Sequence, residues 1–467
     1  MIQKQAKQFA KKLIGSTCSG WKIDSYINCG KSAIVLKATN KTKMGALKIF
    51  FPELIEKYGA EIQMARIRRE KTLVGKSHPN LVQIFDGGFW KERNLFFVVM
   101  EYLPWRNLAD ALVDIPKGEE RNIISQIASA AQFLEELNIC HRDIKPENIG
   151  ISNDFKEAKL LDLGVIRLHD TPPLTDGTSG KVFIGTLKYS PPEFLLREEN
   201  DSKEGWRALT FYQLGGVLHD LIMRRSLFSE YVNPFAVLVN AVQHKTPEIV
   251  NNSVSPFLVD LATHCLLKKP ESRLKLVSWP DFEKEPDWED PLAATKTRIS
   301  RRMLAKRDSS DAQTAPKNPV ERLNEYAQGI KSSCQSECIG TREYWPPIEI
   351  HIFSESDDRR IVAAQFDPST SYLLQNHLRI ELTVEWIDQE QDVIEIHISA
   401  FISFSPFAQQ ANVAAGGGIV VFKGVYAVQS VRHSFLPTIY RALELAQQAK
   451  KLSKNSIDEL NLAEIPK

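Results

Sequence analysis

Cys140-His141-Arg142-Asp143-Ile144-Lys145-Pro146-Glu147-Asn148-Ile149 sets a carboxylate and an amide five positions apart with a lysine between them. In phosphoryl transfer a carboxylate accepts the proton of the attacking hydroxyl, an asparagine holds magnesium, and a cation neutralises charge on the moving phosphate. Asp143, Asn148 and Lys145 supply those three chemistries. So short a motif gains weight from partners in order along the chain. Downstream, Leu160-Leu161-Asp162-Leu163-Gly164 reads as a buried strand running into an aspartate suited to grip magnesium, with Gly164 permitting a sharp turn. Upstream, Ala46-Leu47-Lys48-Ile49 buries a lysine in an apolar run, where it needs an anionic partner. Glu70 is the expected partner, carried on a stretch, Ile67 to Val74, with apolar residues at helical spacing.

Together these residues resemble the serine/threonine branch of the protein kinase family, over about residues 20–285. The resemblance implies a two-lobed α+β fold, a β-rich N-lobe over a helical C-lobe, using ATP and Mg2+ to phosphorylate protein hydroxyls, the protein's own included. Lys48 would hold the nucleotide's inner phosphates and pair with Glu70. Asp143 would be the catalytic base with Lys145 beside it, and Asn148 and Asp162 would carry the metal. Aligning on Val35 puts Asn28, Gly30 and Ala33 where the family has three glycines, so one glycine survives. Leu95-Phe96-Phe97-Val98-Val99-Met100 reads as a strand entering an adenine-binding hinge, Glu101-Tyr102-Leu103. Met100 would back the slot, the backbone of Glu101 and Leu103 would bond the base, and Val35 and Ala46 would roof it. Gly150 stands where the family carries leucine beneath the ring, which implies a roomier floor.

Thr171, Thr175, Thr178 and Ser179 lead into Gly185-Thr186-Leu187-Lys188-Tyr189-Ser190-Pro191-Pro192-Glu193, which resembles the activation segment and its closing motif. The resemblance implies a phosphate on Thr178 or Ser179 read by Arg142, contact of Thr186 with Asp143 and Lys145, and a buried ion pair of Glu193 with Arg273. Ordinary loop hydroxyls are the competing reading. Thr210 replaces an aspartate that in relatives accepts hydrogen bonds from the catalytic-loop backbone, so a looser loop is expected. Those departures keep a second reading open, a pseudokinase scaffold whose accessory domain binds a partner. A small-molecule kinase is opposed by the segment from Thr186 to Glu193 and by Arg273.

Over 467 residues, 59 lysines and arginines face 58 acids, so no net field points to nucleic acid. Six scattered cysteines form no disulfide framework and suit a reducing cytoplasm. No apolar run approaches the roughly 20 residues that span a membrane. Ile2, Phe9, Leu13 and Ile14 with Lys4, Lys7, Lys11 and Lys12 make an amphipathic N-terminal extension, residues 1–19, expected to pack on the small lobe. Residues 286–345 read as a polar linker with helix; its basic cluster, from Lys296 to Arg307, is expected to be a solvated face pairing with the acids before it.

From about residue 346 to 455 the period changes to two. Leu378, Ile380, Leu382, Val384 and Trp386 alternate with polar residues, as do Ile394, Ile396, Ile398, Ala400, Ile402 and Phe404. An antiparallel sheet with one wet face follows. A helix from near Ser434, with Phe435, Ile439, Leu443 and Ala446 in one stripe, would cover it, completing a small α+β domain. Nothing in it forms a catalytic constellation, so a regulatory or substrate-recruiting module is the expectation. Oligomeric state and physiological substrate are not legible here.

Overall fold

The computed structural model describes residues 3–30, 32–41, 43–53, 60–163, 167–168, 186–196, 198–231, 235–285, 291–310, 318–408, 418–454 and 456–463. The chain divides into two compact units, one built from residues 1–174, 184–230 and 241–309, the other chiefly from 310–467.

The first unit begins with a six-stranded antiparallel sheet in the order β1-β2-β3-β4-β6-β5: β1 (Thr17–Cys18), β2 (Trp21–Cys29), β3 (Ala33–Asn40), β4 (Lys43–Phe50), β5 (Ile84–Trp90) and β6 (Leu95–Glu101). Successive side chains of a strand face opposite ways. Because Val35 pairs with Lys48, Lys48 with Val98 and Ala46 with Met100, these residues share one face. The other face carries Ile34, Leu36, Leu47, Ile49 and Val99, buried with Ala6, Ala10 and Leu13 of helix α1 (Gln3–Leu13). The N-terminal stretch thus buries its apolar stripe on the small lobe and leaves Lys7, Lys11 and Lys12 in solvent. Helix α2 (Ala60–Lys71) packs against β5 and carries Glu70.

Below the sheet, three short strands, β7 (Arg106–Asn107), β9 (Ile149–Ile151) and β10 (Ala158–Leu160), pair in the order β10-β9-β7, and β8 (Ile139–Cys140) pairs with β11 (Arg167–Leu168). The large lobe is organised on helix α3 (Glu120–Glu136) and helix α4 (Lys203–Met223). Nearly every residue of α4 from Trp206 to Ile222 is buried, the mark of a helix enclosed on all sides. Its start is capped by Ser202, which accepts from the N–H of Gly205, and its end by Arg224 in the left-handed region. A Cβ on Gly215 would come within 2.3 Å of the Cys265 Cβ on helix α5 (Pro256–Cys265), so glycine permits that close crossing. Helix α6 (Pro270–Leu276) brings in Arg273. On helix α7 (Pro291–Ser310) Arg301 pairs with Asp281 at 3.3 Å and Arg302 with Asp260 at 2.7 Å.

The second unit holds an antiparallel sheet ordered β12-β13-β14-β15-β16: β12 (Ile348–Ser356), β13 (Arg359–Phe366), β14 (His377–Asp388), β15 (Val393–Ser403) and β16 (Ile419–Val425), with β17 (Ile457–Glu459) also on β15. Leu378, Ile380, Leu382 and Val384 pair with Ile402, Ala400, Ile398 and Ile396, so one face is continuous and apolar. Two helices share its core, α8 (Pro319–Gly340) and α9 (Val428–Gln448).

Three expectations change here. Part of the stretch read as a linker is α8, whose Leu323, Ala327, Ile330, Cys334 and Cys338 are buried in this core. Its start was legible: Asn318 accepts from the N–H of Glu321, the Glu321 carboxylate accepts from the N–H of Asn318, and Pro319 opens the first turn. Helix α9 begins at Val428, not Ser434, because the Ser434 hydroxyl donates back to the Ser430 and Val431 carbonyls in mid-helix instead of capping. The second face of the sheet is not wet at its centre, where Arg379, Glu381 and Thr383 are buried. No described helix is long and apolar enough to cross a membrane.

Candidate active site

Asp143 follows Arg142, whose φ of 67° turns the chain sharply and presents the Asp143 carboxylate beside Lys145. Asp143 Oδ2 accepts from Lys145 Nζ at 2.7 Å and from Asn148 Nδ2 at 2.9 Å. Thr186 Oγ1 donates to Oδ1 at 3.2 Å and accepts from Lys145 Nζ at 2.5 Å. Oδ2 is thus committed to two donors, while Oδ1 retains accepting capacity. The N–H of Asp143 donates to His141 Nδ1 at 3.3 Å, so His141 Nε2 carries the proton and donates to the Leu161 carbonyl at 2.9 Å. Burial depresses the His141 pKa and keeps the ring neutral.

Lys48 Nζ donates to Asp162 Oδ1 at 2.5 Å, and Asp162 itself lies in the left-handed region with φ 54°. Lys48 and Glu70, expected to pair, are not at ion-pair distance; the carboxylate partner of Lys48 among the described residues is Asp162. One ammonium beside two carboxylates pairs with the one that is cheaper to keep charged. Asp162 is half-exposed, whereas Glu70 is 2% exposed and its Oε1 has no hydrogen-bond partner. Burial holds the Glu70 carboxyl up at about 7, with Lys48 opposing and Asp162 adding to the rise. An acid with a raised folded pKa stabilises the fold while protonated, so this contribution is lost as pH climbs from about 4.5 through about 7. Glu70→Gln, neutral throughout, should therefore be more stable than wild type by roughly 3 kcal/mol near pH 8 and equal to it below about pH 4 in urea unfolding. A difference independent of pH would show that Glu70 does not titrate there.

Magnesium takes hard oxygen ligands. Asp162 offers a half-exposed carboxylate. Asn148 commits its NH2 group to the Asp143 carboxylate and main-chain carbonyl, both at 2.9 Å, leaving its carbonyl oxygen as the free end. That donor set fits the ion.

At the sheet edge, Asn28 pairs with Val35 and the Gly30 N–H donates to the Ala33 carbonyl at 2.9 Å, closing the β2–β3 hairpin. Ala33 is buried. Val35 and Met100 are half-buried and Ala46 nearly buried on the face that carries Lys48. The Glu101 carboxylate is held by Lys159 Nζ at 2.7 and 2.8 Å, and the Glu101 N–H donates to the Gln83 carbonyl at 2.8 Å, which fixes the start of the hinge. The floor is not roomy as expected, because a Cβ on Gly150 would meet Leu161 at 3.3 Å and Trp105 at 3.5 Å.

Glu193 and Arg273 form the expected buried ion pair. Arg142 lies over the Trp206 ring at 5.9 Å. Thr171, Thr175, Thr178 and Ser179 lie outside the described residues.

Thr210 does not hold the backbone around Asp143; its hydroxyl donates to the Trp206 carbonyl in its own helix at 2.8 Å and meets the Cys140 thiol at 3.7 Å. Gln213, one turn further along α4 and 1% exposed, does the bridging instead. Its Oε1 accepts from the N–H of Ile144 at 3.1 Å and its Nε2 donates to the Arg142 carbonyl at 2.8 Å, gripping the backbone on both sides of Asp143. Gln213 was missed because one amide engaging two main-chain groups some 70 residues away leaves no local pattern. Gln213→Ala would strand a buried N–H and a buried C=O, costing about 1–3 kcal/mol. Urea unfolding should show that loss, and hydrogen exchange should accelerate at residues 142–145; unchanged exchange there would mean the loop is held by other contacts.

A sequence model of the protein kinase domain matches residues 21–280, more than half of the chain, and the chain belongs to that family. No family model matches beyond it. The relatives are named as serine/threonine kinases. The chain is 27% identical to the serine/threonine-protein kinase cds1 of Schizosaccharomyces pombe, over 58% of this chain and 59% of that one. It is 28% identical to a probable serine/threonine-protein kinase of Clostridium acetobutylicum, over 56% and 39%. With the serine/threonine-protein kinase Pkn1 of Myxococcus xanthus it shares 30% identity over 48% and 30%. The match thus covers less than two thirds of the length of each.

Proposed function

We propose that this chain is an ATP-dependent serine/threonine protein kinase. The observation that carries the reading is the cluster of Asp143, Lys145, Asn148 and Thr186, bonded to one another at 2.5–3.2 Å beside the Lys48–Asp162 pair. Asp143 Oδ1 would accept the proton of a substrate serine or threonine as its oxygen attacks the γ-phosphorus and ADP departs. Lys145, already bonded to Asp143, would balance charge on the transferring group, and Lys48 would hold the inner phosphates. Asn28, Gly30 and Ala33 would lie over those phosphates, Gly30 admitting close approach of the backbone. Asn148 and Asp162 would hold Mg2+, which neutralises phosphate charge when bound. Val35, Ala46 and Met100 with the backbone of Glu101 and Leu103 would receive adenine.

The scaffold alternative drew on the altered glycine loop, Thr210 and Gly150; of these, Gln213 answers the second by supplying the backbone anchor that Thr210 does not. We assign residues 318–463 to a regulatory or substrate-recruiting module, on the ground that the helix from Pro319 shares its core. Six free cysteines suit a reducing cytoplasm. Incubation with radiolabelled ATP and magnesium, alone and with a serine/threonine-rich protein, followed by phosphoamino-acid analysis, tests the activity. Label on serine or threonine is expected; none above an Asp143→Asn control overturns the reading.

A further inference from the structure

Ile149 and Ile151 are 0% and 1% exposed, so Gly150 between them on β9 points its open side the other way, toward Leu161 and Trp105. The backbone there does not require glycine, since φ at Gly150 is outside the left-handed region. Close packing favours it. An ideal Cβ would sit 3.3 Å from Leu161 Cδ1, which would have to give way by a few tenths of an ångström, and in van der Waals contact with Trp105 Cε3 at 3.5 Å, so the indole and Leu161 already border the space that a side chain here would enter. Asn107 pairs with Gly150 across β7 and β9, and that register brings Trp105, two residues earlier, alongside the glycine. Trp105 and Leu161 are each half-buried, and Leu161 directly precedes Asp162. Apolar surface therefore stays open in the cleft, beside the hinge.

We propose that Trp105 is the base-contacting floor of the nucleotide slot, its indole occupying the place that a side chain at position 150 would otherwise fill. The inference rests on the nucleotide reading of this cleft. A rigid indole offers a flat surface to a purine, and stacking of a base on an aromatic side chain stabilises the bound nucleotide whatever the base. Val35 and Ala46 form the aliphatic wall opposite. The glycine and the tryptophan are thus one device, and each substitution has meaning only with the other.

Calorimetric titration of the full-length protein with ADP and magnesium tests this. Trp105→Ala should weaken ADP about tenfold, the equivalent of roughly 1.4 kcal/mol of lost stacking. Inorganic tripolyphosphate, which has no base, should bind both forms equally. Gly150→Leu, whose branches would collide with the indole, should also weaken ADP. The double variant Trp105→Ala/Gly150→Leu restores a floor by the other route, and should return to within about threefold of wild type, a departure from additivity expected of touching residues. Wild-type affinity in Trp105→Ala, an equal loss of tripolyphosphate, or additive losses in the double variant would each overturn the assignment. Failure of the wild type to bind ADP would instead overturn the nucleotide reading, and the proposal with it.

Discussion

Asp143→Asn should lower phosphoryl transfer by about a hundredfold to ten-thousandfold, the range that a positioned general base supplies. The substitution preserves shape but not the pattern of donors. In the wild type, Lys145 and Asn148 both donate to Oδ2. An asparagine must turn its carbonyl oxygen toward those donors, because its NH2 cannot accept from them. That leaves the NH2 pointing along the direction of Oδ1, where a proton acceptor is needed. ADP affinity should hold within about threefold, since Lys48 and Asp162 bond each other and not Asp143. Initial rates with radiolabelled ATP and direct ADP titration separate the two effects. Transfer within about threefold of wild type would remove Asp143 from the role of base.

Arg273→Ala should destabilise the first unit by about 3–5 kcal/mol, the cost of breaking a buried ion pair from one side. Arg273 is wholly buried. It pairs with Glu193 and donates to the Ala208, Leu267 and Lys268 carbonyls, at 3.0, 2.6 and 3.2 Å. Burial already pushes the Glu193 carboxyl up, and Arg273 is what opposes that rise. Without the arginine, Glu193 must be protonated or remain as an unpaired buried charge. Replacing both members, Arg273→Met with Glu193→Leu, should recover more than half of the loss, because no isolated charge is then left behind. Urea unfolding of the three variants reads the difference. A single-variant loss below about 1 kcal/mol would place the pair in a more solvated setting than its burial implies.

The departures from the sequence reading share a physical origin. Lys48 was readable as a buried cation in want of an anion, but two carboxylates answer that description, and the choice between them depends on how much water each retains. Thr210 was readable as a lost acceptor, while its replacement is a glutamine a turn away whose reach depends on how α4 lies beneath the loop. Gly150 was readable as an open floor until the strand pairing of Asn107 brought Trp105 over it. In the second unit the alternation of Leu378 to Trp386 and Ile394 to Phe404 follows β14 and β15. Burial of Arg379 and Glu381 on the opposite face had no counterpart in that pattern, since period two says which residues share a face and not what covers it.

The sequence by itself determined the reacting groups. A base, a lysine and an asparagine within one turn of chain carry their spacing with them, so Asp143, Lys145 and Asn148 meet wherever that loop is held. Tertiary structure alone decided how these groups are held and which partners they take: Asp162 for Lys48, Gln213 for the catalytic loop, Trp105 for the space above Gly150. Local covalent spacing sets distances over a few residues, whereas pairing across many residues is settled by solvation and packing, which exist only once the chain has folded.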